Sequence, residues 1–115
     1  MIDASAIEEI IALYTKHGWT LRRVLLSDPL QKRLLAAAAD IFGDAEVGKS
    51  ELDAAWFSRS SRPDCTAWEI RHLSEMPYAL VAVIDDETPA ENTTEILKST
   101  EAKMLEIVSK KPRGN

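Results

Sequence analysis

The sequence predicts a two-layer α+β domain of element order α-β-α-β-β-β-α, with a mostly antiparallel sheet and the helices packed on one face. Three observations carry this. Helical periodicity of apolar residues occupies the first and last segments. Between residues 52 and 85, three short apolar and aromatic runs are divided by connectors rich in turn residues, as in an antiparallel meander. A chain of 115 residues can bury about two-thirds of its unfolded surface in one core. Residues 1–110 are therefore assigned to a single domain, and 111–115 to a flexible tail.

Each element has its own signal. Ser5-Ala6-Ile7-Glu8 reads as a capping box that opens a helix running to His17. Ile7, Ile10, Ile11 and Tyr14 recur on one side of it, and Gly18 ends it. Trp19 to Leu26 reads as a strand, with Trp19, Leu21, Arg23 and Leu25 on one face and Thr20, Arg22, Val24 and Leu26 on the other. Asp28-Pro29 supplies an N-cap and first-turn proline for a second helix to Ile41, which buries Leu30, Leu34, Ala37, Ala38 and Ile41.

Strands are expected at Leu52–Ser58, Thr66–Leu73 and Tyr78–Asp85. The last is nearly continuous in apolar residues, as a central strand would be. Residues 64–76 also fit a helix capped by Asp64, and the strand is preferred. The final helix spans Ala90–Lys110, with Ile96, Leu97, Met104 and Ile107 as its expected buried stripe.

Composition excludes several function classes. Nineteen acidic against fourteen basic residues give a net charge of −5, which disfavours a general nucleic-acid surface, since that affinity comes from Lys and Arg on phosphates. Cys65 is the single cysteine, so no intramolecular disulfide can form and a reducing, cytoplasmic setting fits. The first residues carry no basic signal region and no apolar run approaches the ~20 residues of a membrane span. No membrane association is expected.

Gly43-Asp44-Ala45-Glu46-Val47-Gly48-Lys49-Ser50 satisfies the phosphate-loop pattern G-x-x-x-x-G-K-[ST]. Its context argues against a nucleotide site. The alanine-rich stretch before Gly43 favours a helix, with Gly43 as its terminating glycine. Asp44 and Glu46 would also repel phosphates. A phosphate-loop nucleotide binder through Gly43–Ser50 is kept only as the remotest alternative.

Other chemistry is thinly supported. Cys65 and His72 would sit ~23 Å apart on an extended strand, too far for a nucleophile–base pair. His17 and His72 stand alone, and Glu69-Ile70-Arg71-His72 is a single copy of a motif that binds di-iron only in pairs. Asp85-Asp86-Glu87 reads first as a solvated strand end. No catalytic, cofactor or metal residue is assigned. A small hydrolytic or ligand-converting enzyme using Asp85, Asp86 or His72 is the alternative reading.

The more suggestive residues are Trp19, Trp56, Trp68, Arg59, Arg71 and His72, with Arg22, Arg23 and Arg62 as further cations. Tryptophan and arginine are enriched at interface hot spots. If helices cover one sheet face only, the other must meet a partner. The first reading is therefore a non-enzymatic protein-interaction or ligand-binding domain, a homodimer whose interface includes Trp56 or Trp68.

Overall fold

The structure, a computed structural model, describes residues 2–34 and 37–109. In chain order the elements are α1 (Ala4–Lys16), β1 (Thr20–Leu26), α2 (Asp28–Leu34), α3 (Ala37–Phe42), β2 (Glu46–Lys49), β3 (Ala54–Ser60), β4 (Cys65–His72), β5 (Ala79–Asp85) and α4 (Ala90–Ser109). The strands form one sheet of order β2-β1-β3-β4-β5, so the apolar β5, expected from its composition to be central, is an edge strand and β3 is the centre. β1 pairs β2 in parallel, and every other pairing is antiparallel. The fold is α+β, with the three consecutive antiparallel strands that the sequence indicates. Residues 65–72 are a strand, not a helix.

The sheet is mixed because of β2, a four-residue strand inside the acidic connector. Neither periodicity nor composition marks it, and it exists by pairing with the edge of β1. The expected continuity of the second helix through residues 35 and 36, and the tail at 111–115, lie outside the described residues.

Capping differs from the capping-box reading. The cap of α1 is Asp3, whose Oδ1 accepts from the Ala6 amide at 2.9 Å. Two competing cap residues stand two positions apart, and the carboxylate takes the role from Ser5. Gly43 ends α3 as expected, with φ of 58° and its N–H bonded to the Ala39 carbonyl.

Helices cover both faces of the sheet, which corrects the one-sided packing expected from the sequence. On one face α1, α2 and α3 bring Ile7, Leu30, Leu34 and Phe42 against Val24, Leu26, Ala55 and Phe57. On the other, α4 brings Leu97, Met104, Leu105 and Val108 against Leu25, Ala54, Trp56 and Ile70. The cause is β3, whose residues Ala54 to Ser58 are all buried, so that each face of that strand needs its own cover.

The stripe of α4 is also rotated from the expected one. Met104 is fully buried, whereas Ile96 and Ile107 remain about two-fifths exposed. Accordingly Met104→Ala is expected to cost about 2–5 kcal/mol in urea unfolding. Ile107→Ala should cost less than about 1 kcal/mol. Equal losses at the two positions would mean that α4 is seated differently.

Candidate functional site

A β-bulge builds a concave site beneath α4. Leu21 pairs with Phe57 and Arg23 with Trp56, leaving Arg22 as an extra residue on β1. Leu21 and Val24 therefore share one face, while Arg22 and Arg23 both turn to the face that carries Trp56 and α4. Bulges re-aim side chains in this way, often beside functional sites. This corrects the alternation expected for residues 19–26, and no signal within β1 itself announces it.

The two arginines line a cavity of about 260 Å³ together with Glu46, Trp56, Trp68, Thr94, Leu97 and Glu101. The Trp56 and Trp68 rings meet edge to face at 6.2 Å and 81°. Trp56 Nε1 donates to Glu101 Oε2 at 2.6 Å, which satisfies the one polar atom of an indole that is otherwise core. Arg23 Nε lies 3.9 Å from Glu46 Oε1 and is buried with no hydrogen-bond acceptor. Its guanidinium crosses β2 at Gly48, where a β-carbon would sit 3.1 Å from Nη2. The second glycine of the phosphate-loop pattern thus makes room for an arginine.

Trp19 and Arg59 lie on the opposite face. Arg59 stacks on Trp19 at 4.6 Å and donates to the His17 carbonyl at 2.8 Å, fastening β3 to the end of α1. Nearby, the Tyr14 ring stacks on Phe57 and its hydroxyl donates to Glu69. Burial, reinforced by the Glu69 carboxylate, pushes the Tyr14 hydroxyl well above the usual phenol range. The six interface candidates are therefore divided. Trp56 and Trp68 meet at the cavity, Trp19, Arg59 and Arg71 belong to the α1 side, and His72 stands at the end of β4. Trp56 is only 2 % exposed beneath α4, so it offers no surface to a partner, whereas Trp68 is half-buried.

The residues of the enzymatic alternative are far apart in the fold. Asp85 and Asp86 close a turn at one end of the sheet, accepting from the Glu87 amide and the Thr66 hydroxyl. Cys65 pairs with Asp85 there, while His72 pairs with Ala54 at the other end of β4. His72 does approach Ser74, with Nδ1 to Oγ at 2.9 Å, and Asp53 is close enough to act on it electrostatically. The Ser74 hydroxyl donates to the Met76 carbonyl, and Asp53 is engaged with the amide and hydroxyl of Ser27. With its proton directed at a carbonyl, Ser74 is a turn residue and not an activated nucleophile.

The phosphate-loop segment is strand β2 followed by a bend into β3, with no helix starting after Lys49-Ser50. Lys49 instead pairs with Asp28 at 3.1 Å. Among the described residues no cluster of three metal-ligating side chains occurs, and no helix is long and apolar enough to cross a membrane. Comparison with protein-family models, curated proteins and solved structures finds no match.

Two expectations follow from this geometry. The Lys49–Asp28 pair is mostly exposed, with the side chains 73% and 57% accessible. Lys49→Ala should therefore change stability by no more than about 0.5 kcal/mol, as read by urea unfolding. The second concerns His72, which burial, with some help from Arg71, holds below its ordinary value of 6.5 against the pull of Asp53. As pH falls, the unfolded chain takes up this proton before the folded one, so stability is intact above about pH 6.5 and declines below it. Between about pH 7.5 and about pH 5.5 the wild-type urea midpoint should fall further than that of His72→Gln. Parallel declines would show that His72 is not held neutral.

Proposed function

We propose that the chain is a non-enzymatic interaction domain that works as a homodimer, paired through strand β5. The observation that carries this is the contrast between the two edges of the sheet. β2 is short and bears Glu46 and Lys49, as protected edges do. β5 presents Ala-Leu-Val-Ala-Val-Ile over residues 79–84 with no charge, proline or bulge. Val81 and Val83 stand 57% and 50% exposed. Edges of that kind pair with another strand or aggregate.

Its hydrogen-bonding parity suits a second copy. The Tyr78 carbonyl accepts from His72, and the Asp86 amide donates to Asp64, so the even-numbered residues face β4. Ala79, Val81, Val83 and Asp85 turn their amides and carbonyls outward. A two-fold axis at Ala82 sets Val81 against the second copy's Val83, a self-complementary arrangement. In that antiparallel register the acids Asp85, Asp86 and Glu87 lie beside the second copy's Ala79, Tyr78 and Pro77, in that order. A parallel register would place two acidic triplets side by side.

Several features support the rest of the reading. The paired Trp and Arg residues serve packing and a cavity, and Ser74, the serine beside His72, directs its hydroxyl to the Met76 carbonyl. The single cysteine fits a reducing cytoplasm. Sedimentation velocity at tens of micromolar is expected to show a dimer for the wild type. Val83→Lys, which puts a charge into the cross-strand pair without touching the core, should sediment as a folded monomer. A monomeric wild type, or a dimer indifferent to Val83→Lys, overturns the proposal.

A further inference from the structure

We infer that the cavity between α4 and the bulged strand β1 binds a small zwitterion, a molecule bearing both a carboxylate and an ammonium. The cavity wall carries two arginines and two glutamates, on different elements. Arg23 is partly balanced by Glu46 at 3.9 Å. Among the described residues Arg22 makes no ion pair. Glu101 makes none either, and of its two oxygens Oε2 alone has a donor, the Trp56 indole. One unbalanced cation on the strand thus faces the same space as one unbalanced anion on the helix.

A simple anion would meet Arg22 and Arg23 but also the charge of Glu101. A simple cation would meet Glu101 but also two guanidiniums. A molecule bearing both charges fits both walls. Its carboxylate would meet the accessible part of the Arg23 side chain, which is 41% exposed, together with Arg22. The Arg23 guanidinium packs across Gly48, and that packing reduces the side-chain freedom lost when it binds. The half-buried Trp68 lines the same cavity as Glu101, and an aromatic with a carboxylate is a combination that suits an ammonium. Trp56 serves by fixing the Glu101 carboxylate.

Size narrows the ligand further. About 260 Å³ is below the ~300–1,000 Å³ typical of drug-sized sites. The fitting class is that of small amino acids and betaines. This cavity lies on the α4 face, and Val81 and Val83 lie on the other, so the inference stands independently of β5 pairing.

The test uses the full-length protein labelled with ¹⁵N and follows the indole N–H resonances of Trp56 and Trp68. Glycine and glycine betaine are the probes, with acetate and tetramethylammonium as the two halves. At least one zwitterion is expected to shift these resonances saturably in the millimolar range or below, with each half-molecule at least about tenfold weaker. Arg22→Gln, at an exposed position, should weaken that zwitterion by about tenfold. Glu101→Gln keeps an acceptor for the Trp56 indole and should weaken it similarly. If Glu101→Gln fails to fold, Arg22→Gln alone decides. Failure of both zwitterions to bind overturns the inference. So does acetate binding as tightly as a zwitterion, or affinity unchanged in Arg22→Gln.

Discussion

Strand β3 is buried on both faces, and the rest of the molecule follows from what that demands. Trp56 and Phe57 are adjacent, so alternation sends the two largest core side chains to opposite sides of the sheet. Each then needs an apolar cover and, where it or its cover is polar, a partner. On the Phe57 side the cover is Tyr14, stacked at 4.1 Å, and its hydroxyl requires the carboxylate of Glu69 on the neighbouring strand. On the Trp56 side the indole N–H requires Glu101. A buried donor without an acceptor would cost about 1–3 kcal/mol, enough to decide how a helix sits.

That requirement explains the rotation of α4. The apolar residues alone allow a stripe through Ile96, Leu97, Met104 and Ile107. Turning Glu101 inward to meet the indole brings Leu97, Met104, Leu105 and Val108 to the sheet and moves Ile96 and Ile107 to the margin. The cavity beside Trp56 has the same origin. It is the space left where a helix carrying an inward carboxylate crosses a strand whose bulge projects two consecutive arginines.

Much of the fold was legible because local signals agreed with tertiary needs. The amphipathic ends, the turn-rich connectors and the terminating Gly43 all act through near neighbours in the chain. What stayed hidden depends on partners distant in sequence. β2 is a strand only because β1 offers it an edge. The bulge at Arg22 appears only when β1 is laid against β3, and strict alternation therefore divides Arg22 from Arg23. The inward Glu101 reads as a surface residue until Trp56 is placed beneath it. The division of the tryptophan and arginine set between two faces depends on strand pairing and on the bulge, which composition does not carry. Cys65 and His72, weighed as a nucleophile and base, stand at opposite ends of the extended strand β4.

The most direct test is native-state hydrogen exchange resolved by residue. If β3 is the doubly covered centre, the backbone amides of Trp56 and Phe57 exchange only by global unfolding, and the Trp56 indole N–H exchanges in the same slow class as α4 around Met104. A Trp56 indole that exchanges as fast as that of Trp68, while the β3 amides stay protected, would show that α4 does not close over this face.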